Sequence, residues 1–316
     1  NNSSDNCGAP VTLGVTPSAF TCANVGSNVV TLTVTDNCSN SASCTATVTV
    51  TLPGGAPSIP TVSLSQSASP ICSGDSYTLT LTPGGMNPSG TTYNVSWVIT
   101  PAAGSPNPNL VTLGGDFGGV SGNGMFNTTD LSLNGVIDNI NVNSVNITFT
   151  VTPVFGPCSG TPQVIVLLVR PLPQATSITP IPPAGVCSGS TVGGFSIGHN
   201  LGTGGTDATN SIVWNWSGAN LTATPPNGTD FGGGSPNALF VSATTLVNTG
   251  ATATTATLSV IPRRTTAGLT CSGPALEVQI TVEPQPQVIC PNNISATTTA
   301  TCDTTLTLTH PNLNLN

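Results

Sequence analysis

The segment Thr45-Ala46-Thr47-Val48-Thr49-Val50-Thr51-Leu52 alternates threonine with an apolar residue. Alternation with a period of two places one residue type on each face of an extended strand. The pattern recurs along the chain, in segments 30–35, 77–81, 145–151, 256–260 and 276–282. Because 35 glycines and 28 prolines supply the turns between these segments, the sequence predicts an all-β protein built of sandwiches.

Charged side chains are rare in this chain of 316 residues. It holds 3 cationic and 11 acidic residues, which gives a net charge of −8. Nucleic acids and anionic membranes attract clusters of cations, so this composition argues against both as partners. The longest strongly apolar run, 164–169, is too short to cross a bilayer, and we therefore expect no direct membrane insertion.

Cysteine usage points to an oxidising compartment. The ten cysteines are even in number and include no Cys-x-x-Cys pair, a pattern typical of structural disulfides. Disulfides persist outside the cytosol, so the sequence predicts an extracellular or cell-surface protein. The cysteines are Cys7, Cys22, Cys38, Cys44, Cys72, Cys158, Cys187, Cys271, Cys290 and Cys302.

Several motifs occur twice in the same order, which indicates an internal repeat. An opening motif, Cys72-Ser73-Gly74, recurs 115 residues later at Cys187-Ser188-Gly189. A closing motif, Cys158-Ser159-Gly160, recurs 113 residues later at Cys271-Ser272-Gly273. Between them lies Trp97, whose counterpart is Trp214 or Trp216.

The repeat predicts two copies of one domain, over residues 58–173 and 174–286, joined by short proline-rich linkers. Each copy contains one pair of motif cysteines. We therefore expect the disulfides Cys72–Cys158 and Cys187–Cys271, each closing a long loop that stabilises its domain by about 4 kcal/mol in the chain-entropy treatment.

These copies resemble the PKD-like, immunoglobulin-type modules of giant repetitive surface proteins of the Bacteroidota. The resemblance rests on the two cysteine motifs and on the tryptophan strand Val95-Ser96-Trp97-Val98. It covers roughly 230 residues. It implies export by the type IX secretion system of that phylum.

The two ends of the chain resemble the halves of one hyalin-repeat (HYR) domain. Its opening part is similar to 289–294 and 300–302, and its later part to 4–8, 34–40 and 43–48. Residues 287–316 and 1–54, joined tail to head, would make about one such domain. On this resemblance we expect the disulfides Cys44–Cys290 and Cys7–Cys302 across the join, and Cys22–Cys38 within the N-terminal part.

A split sandwich has a physical consequence for assembly. Two strands in 287–316 cannot bury a face in water, and residues 1–54 lack the strands that would cover Val30 and Leu32. The fold expected is therefore a series of immunoglobulin-like sandwiches linked end to end, with one sandwich divided between the termini. The expected partners are neighbouring copies of the chain, joined head to tail. Covalent tandem repetition is the favoured arrangement, and strand exchange between separate chains is the alternative.

We expect no enzymatic activity and no cofactor. The two histidines, His199 and His310, stand in isolated loop-like segments, and no Ser/His/Asp set is evident. The repeated Asp-Phe-Gly-Gly reads as a turn whose phenylalanine fills a core. Calcium binding is the alternative for the acidic loops, with the candidate ligands Asp116, Asp230, Asp130 and Asp138.

The function expected from these features is that of a structural repeat unit of an extracellular filament or adhesin stalk. One alternative is an adhesion module that binds a surface glycan or protein, for which the tryptophans could stack on sugars. A second alternative is an accessory region of a secreted enzyme. Asp303-Thr304-Thr305 resembles the O-glycosylation motif of the Bacteroidota, which makes Thr304 a candidate glycan acceptor.

Overall fold

The computed structural model describes residues 10–56, 58–102, 107–200, 208–231 and 239–286. Within them the chain forms β-strands in six sheets, and no α-helix occurs. The predicted all-β class, with tandem immunoglobulin-like sandwiches, is confirmed. The helical elements of the described residues are single 3₁₀ turns at Cys22–Asn24, Pro53–Gly55, Pro108–Leu110 and Gly115–Phe117.

The first group of strands is a three-stranded antiparallel sheet, called here the N-terminal sheet, in the order β1-β2-β3. Its strands are β1 (Thr12–Thr16), β2 (Gly26–Thr35) and β3 (Ser41–Val50). Gly26 pairs with Val50 at the end that leads into the next domain, and Thr35 pairs with Ser41 at the opposite end. The turn between β2 and β3 therefore lies far from that domain.

The second group, the first sandwich, runs from Val62 to Arg170. One sheet has the order β10-β7-β12-β14-β5, with β13 paired to β12, and the other has the order β4-β6-β11-β8-β9. The strands are β4 (Val62–Gln66), β5 (Ile71–Cys72), β6 (Ser76–Pro83), β7 (Thr92–Pro101), β8 (Val111–Leu113), β9 (Val120–Ser121), β10 (Gly124–Thr128), β11 (Ser132–Asn139), β12 (Val145–Phe155), β13 (Cys158–Ser159) and β14 (Gln163–Arg170).

Aromatic side chains fill the middle of the first sandwich. Tyr77 stacks on Phe149 at a centroid distance of 5.6 Å, and Phe117 contacts both rings. Trp97 meets Phe117 edge to face at 6.1 Å. All four side chains are buried, which confirms that the phenylalanine of the first Asp-Phe-Gly-Gly motif fills a core.

The third group, the second sandwich, runs from Ala175 to Glu283. Its sheets have the orders β15-β18-β22, β17-β23-β20 and β16-β26-β24-β19-β21, with β25 paired to β24. The strands are β15 (Ala175–Thr179), β16 (Gly185–Cys187), β17 (Ser190–Val192), β18 (Phe195–His199), β19 (Ala208–Ser217), β20 (Leu221–Thr224), β21 (Asn227–Phe231), β22 (Leu239–Val241), β23 (Thr244–Asn248), β24 (Thr254–Thr266), β25 (Leu269–Ser272) and β26 (Leu276–Glu283).

The two sandwiches share a topology at their ends. In each, a short strand that carries the opening cysteine pairs in parallel with the last strand: Cys72 is the partner of Arg170, and Cys187 is the partner of Glu283. In each, the closing cysteine lies on a short strand that folds back on the strand before it, opposite Phe155 or Arg264. Opening and closing cysteines therefore lie at opposite ends of each sandwich.

Candidate functional site at the domain junctions

The opening motif of the first sandwich is held in place by its serine and its glycine. The Oγ atom of Ser73 accepts the backbone N–H of Asn139 at 2.8 Å, and the Ser73 N–H donates to the Arg170 carbonyl at 2.7 Å. Gly74 has a φ of 84°, in the left-handed region that favours glycine, and its N–H donates to the Ile137 carbonyl at 2.9 Å. The two residues after Cys72 thus anchor the cysteine to both sheets.

The second sandwich repeats this anchor. The Oγ atom of Ser188 accepts the N–H of Asn248 at 2.9 Å, and the Ser188 N–H donates to the Glu283 carbonyl at 2.9 Å. Gly189 has a φ of 88° and donates to the Leu246 carbonyl at 2.8 Å. Because the hydrogen bonds match one for one, Cys187 occupies in the second sandwich the place that Cys72 occupies in the first.

Two buried asparagines complete the anchors, and no sequence motif predicted either of them. The Nδ2 group of Asn139 donates to the carbonyls of Val169 and Asn143, each at 3.1 Å. In the second sandwich the Nδ2 group of Asn248 donates to Val282 at 2.9 Å and Thr252 at 2.7 Å. A buried amide with satisfied donors ties the last strand to the neighbouring loop. The signal in the sequence is a single asparagine, 66 or 60 residues after the motif serine.

The structure pairs Cys72 with Cys271, with their Cα atoms 5.6 Å apart. This disulfide joins the first sandwich to the second, so the predictions Cys72–Cys158 and Cys187–Cys271 are wrong. Seven residue steps of ~3.3 Å along β14 separate the two ends of the first sandwich, whereas a disulfide spans at most about 7 Å between Cα atoms. The ten steps from Thr254 to Arg264 separate the ends of the second sandwich in the same way.

A second disulfide joins Cys22 to Cys158, with Cα atoms 5.4 Å apart. It connects the N-terminal sheet to the first sandwich, so the predicted Cys22–Cys38 bond is also wrong. Cys22 precedes the Gly26 end of β2 and Cys38 follows its Thr35 end. Nine strand steps put these two cysteines on the order of 30 Å apart. Both disulfides of the described residues are therefore junction disulfides, a term used here for a bond between successive domains.

The glycine of each closing motif lets the linker pass. An added Cβ at Gly160 would overlap the carbonyl oxygen of Pro60, and one at Gly273 would overlap the carbonyl oxygen of Pro173. The N–H groups of these glycines donate within the closing hairpins, to Pro153 at 2.8 Å and to Pro262 at 2.9 Å. Each closing motif thus contains a cysteine that bonds to the preceding domain. It also contains a glycine that leaves room for the linker entering its own domain.

The three cations of the chain lie at or near the junction between the sandwiches. Arg170 Nη1 donates to the Thr266 carbonyl across the junction. Burial, and then the nearby positive charge of Arg264, lower the pKa of Arg170. The two guanidinium groups line a cavity of about 270 Å³ together with Leu168, Pro171 and Cys271. A polar contact and a disulfide therefore act at the same interface.

The candidate calcium ligands do not come together in one site among the described residues. Asp116 Oδ2 accepts the backbone N–H of Asn134, and Asp230 Oδ2 accepts that of Phe240, both at 2.7 Å. The Asp130 N–H donates to the Thr128 hydroxyl, and Asp138 lies within β11. In the described part of the chain, no three His, Cys, Asp or Glu side chains come together as a metal site would need.

All three tryptophans are buried, so none offers a free face to a sugar. Trp97 Nε1 donates to the Gly122 carbonyl at 2.9 Å, and its ring covers Gly124. Trp214 covers Gly228 in the same way, which makes it the counterpart of Trp97. The sequence pattern left open which of Trp214 and Trp216 corresponds to Trp97. The structure buries both, since residues two apart on β19 share a face.

The N-terminal sheet has one apolar face that nothing in the described residues covers fully. The strand register places on this face Leu13, Val15, Val30, Leu32, Val34, Ala42, Cys44, Ala46 and Val48. Val30 is buried, yet Leu13 and Val15 are each 45% exposed and Cys44 is exposed. The opposite face carries threonine, serine and the exposed Val29. This apolar face is called here the open face.

Three of the predicted sites involve residues outside the described ranges. They are Thr304 and the bonds Cys44–Cys290 and Cys7–Cys302, of which only Cys44 is described. Cys38, Cys44 and Cys187 are exposed thiols without a partner among the described residues. No helix in that part of the chain is long and apolar enough to cross a membrane.

No family model and no curated protein matches this chain. Among solved structures it is similar to FdeC, an Escherichia coli adhesin, with 17% identity over 80% of this chain and 74% of that one and a TM-score of 0.28. Chicken CNTN1 FN1–FN3 domains match with 10% identity, 81% and 76% coverage and a TM-score of 0.29. The C-terminal domain of Streptococcus agalactiae BspA, an AgI/II polypeptide, matches with 8% identity, 71% and 99% coverage and a TM-score of 0.26.

Proposed function

We propose that this chain is the structural repeat unit of an extracellular filament or adhesin stalk, assembled head to tail through completion of a split sandwich. The open face of the N-terminal sheet carries the proposal. Three strands with an apolar side exposed to water need a second layer to form a stable domain. Val15 and Leu13 are the side chains that such a layer would remove from water.

The occupant proposed for the open face is the segment 287–316 of a neighbouring copy. In this segment Leu306 and Leu308 alternate with Thr305, Thr307 and Thr309, which is the strand pattern of the rest of the chain. The segment directly follows the last strand of the second sandwich. A contact between the tail of one copy and the head of the next uses two different surfaces, so it repeats without closing and gives a linear polymer.

The junction disulfides support a mechanical and extracellular role. Each fixes one domain to the next and persists only in an oxidising compartment. A PKD-like and HYR-type assignment, a Bacteroidota source and type IX export rest on the motif resemblance alone and belong to this proposal. The proposed unit works without a cofactor, and Thr304 is its proposed glycan acceptor.

The test compares two substitutions on neighbouring strands of the N-terminal sheet, both at exposed positions. Val15→Asp puts a charge on the open face, and Val29→Asp puts the same charge on the opposite face, where Val29 is 65% exposed. Under reducing conditions, light scattering should show multimers for the unaltered chain and for Val29→Asp, and monomers of 31.4 kDa for Val15→Asp. Multimers of unchanged size for Val15→Asp, or a monomeric unaltered chain, would refute the proposal.

Covalent tandem repetition and strand exchange differ in the natural material. A reducing denaturing gel of filaments should show a giant band or a ladder if the repeats are covalent. A single band near 31.4 kDa would instead establish exchange between separate chains.

A further inference from the structure

The two junction disulfides follow one rule. In each, the first cysteine lies at the end of its domain that faces the next domain, and the second lies in the closing hairpin of that next domain. Cys22 reaches forward to Cys158, and Cys72 reaches forward to Cys271. The first sandwich thus has a forward cysteine, Cys72, and a backward cysteine, Cys158, which lie at opposite ends.

The second sandwich has a forward cysteine with no partner among the described residues. Cys187 pairs in parallel with Glu283 as Cys72 pairs with Arg170, and Ser188 and Gly189 hold it with the hydrogen bonds that hold Cys72. Its thiol is exposed at the end of the sandwich where the last strand, β26, finishes. Residue 187 is therefore placed to bond with whatever domain comes next.

The N-terminal sheet has a cysteine at its backward end, Cys38, that likewise has no partner among the described residues. Cys38 is the third residue after the end of β2, as Cys158 is the third residue after the end of β12. Cys38 precedes β3, the last strand of its sheet, and Cys158 precedes β14, the last strand of its sandwich. The turn is held by Asp36, whose Oδ1 accepts the N–H groups of Cys38 at 2.9 Å and Asn40 at 2.8 Å. The Cys38 thiol is exposed on the side away from the first sandwich.

We propose that Cys187 of one copy forms a disulfide with Cys38 of the next copy. This inference rests on the proposed head-to-tail assembly and specifies its covalent lock. It makes the junction between copies a third junction disulfide, built like the two within the chain. It also leaves Cys7, Cys44, Cys290 and Cys302 as an even set for the sandwich completed across the join.

The bond forms by two thiol–disulfide exchanges with a low-molecular-weight disulfide or a thiol–disulfide oxidoreductase. The Cys38 thiolate attacks the disulfide of the oxidant, which releases one thiolate and leaves a mixed disulfide. The Cys187 thiolate then attacks the Cys38 sulfur and releases the second thiolate. Two cysteine thiols are oxidised, one disulfide of the oxidant is reduced to two thiols, and two protons leave with these products.

The test uses the full chain in two isotopic forms, ¹⁴N and ¹⁵N, mixed in equal amounts and assembled with reduced and oxidised glutathione. Remaining thiols are blocked with N-ethylmaleimide, and unreduced peptides are identified by mass spectrometry. The expected result is a peptide pair that joins residue 38 to residue 187, with about half of the pairs carrying one light and one heavy partner. Assembled chains with blocked Cys38 or Cys187, or with either bonded to another cysteine, would overturn the inference.

Two variants and a control separate this inference from the proposed function. Cys187→Ser should remove the linked peptide and leave Cys38 open to N-ethylmaleimide, and Cys38→Ser should do the converse. Cys271→Ser should leave the linked peptide intact, because it breaks a junction within the chain. One outcome is that multimers form under reducing conditions while the linked peptide stays absent after assembly with reduced and oxidised glutathione. That result would support the head-to-tail proposal and refute this disulfide. Absence of multimers under all conditions would refute both the head-to-tail assembly and the disulfide.

Discussion

Cys72 and Cys271 join two successive sandwiches, with Cα atoms 5.6 Å apart and a sequence separation of 199. A disulfide in this position restrains the angle between domains and adds no bond across either core. Each core is instead completed by its own buried apolar and aromatic side chains. The disulfides among the described residues thus connect successive domains and do not cross-link a core.

Removal of that disulfide should loosen the joint without unfolding the domains. The double variant Cys72→Ser, Cys271→Ser should keep its far-UV circular dichroism, because both cores are intact. Small-angle X-ray scattering should show a broader range of interdomain orientations than in the unaltered chain. Cys187→Ser, which touches no junction within the chain, is the matched control. Loss of the β-sheet spectrum would mean that the bond supports a core after all.

The serine of the opening motif should matter for stability. Ser73→Ala removes the acceptor of the buried Asn139 N–H, and an unsatisfied buried donor costs about 1–3 kcal/mol. Native-state hydrogen exchange should show this loss in the free energy of opening of β11 and β14. Ser65→Ala, at an exposed strand position of the same sandwich, should change it by less than about 0.5 kcal/mol. Equal effects of the two variants would contradict the anchoring role.

The closing glycines should not tolerate a side chain. Gly273→Ala places a methyl group against the carbonyl oxygen of Pro173, so the linker or the hairpin has to shift. Overpacking of this kind costs roughly 1–3 kcal/mol, and we expect faster proteolysis at the linker and a lower melting temperature. Gly14→Ala, where nothing lies within 4 Å of the added Cβ, is the control. A melting temperature unchanged by Gly273→Ala would argue against close packing at this linker.

The turn that presents Cys38 should weaken in acid. Hydrogen bonds from Asn40, and then from the Cys38 N–H, lower the pKa of Asp36 below its ordinary value. A carboxyl group with a lowered pKa contributes stability above its unfolded pKa of about 3.9, and this contribution is lost as the pH falls through the folded pKa. NMR should therefore show the Cys38 and Asn40 amide shifts moving together below about pH 4. In Asp36→Asn this transition should disappear, and its persistence would assign it to another group.

Much of the fold could be predicted because it depends on local patterns. Alternation such as that of 45–52 defines strands, since side chains on successive residues point to opposite faces. The repeated cysteine motifs predicted two similar domains, and the Phe117 core position followed from its motif. The buried asparagines Asn139 and Asn248 escaped prediction, because a polar residue near a strand end gives no local sign that its amide bonds a distant strand.

The amino-acid sequence was enough to establish the all-β class, the internal repeat and the low charge, since composition and periodicity act within a few residues. Which cysteines form disulfides depends instead on how whole domains are arranged in space. The repeat places one opening and one closing cysteine in each sandwich, which suggested bonds within a domain such as Cys72–Cys158. This expectation is wrong, because the strands carry the two motifs to opposite ends of a rigid sheet, too far apart for a disulfide. A sulfur atom can bond only to what lies within a few ångströms, and at each end that is the adjoining domain.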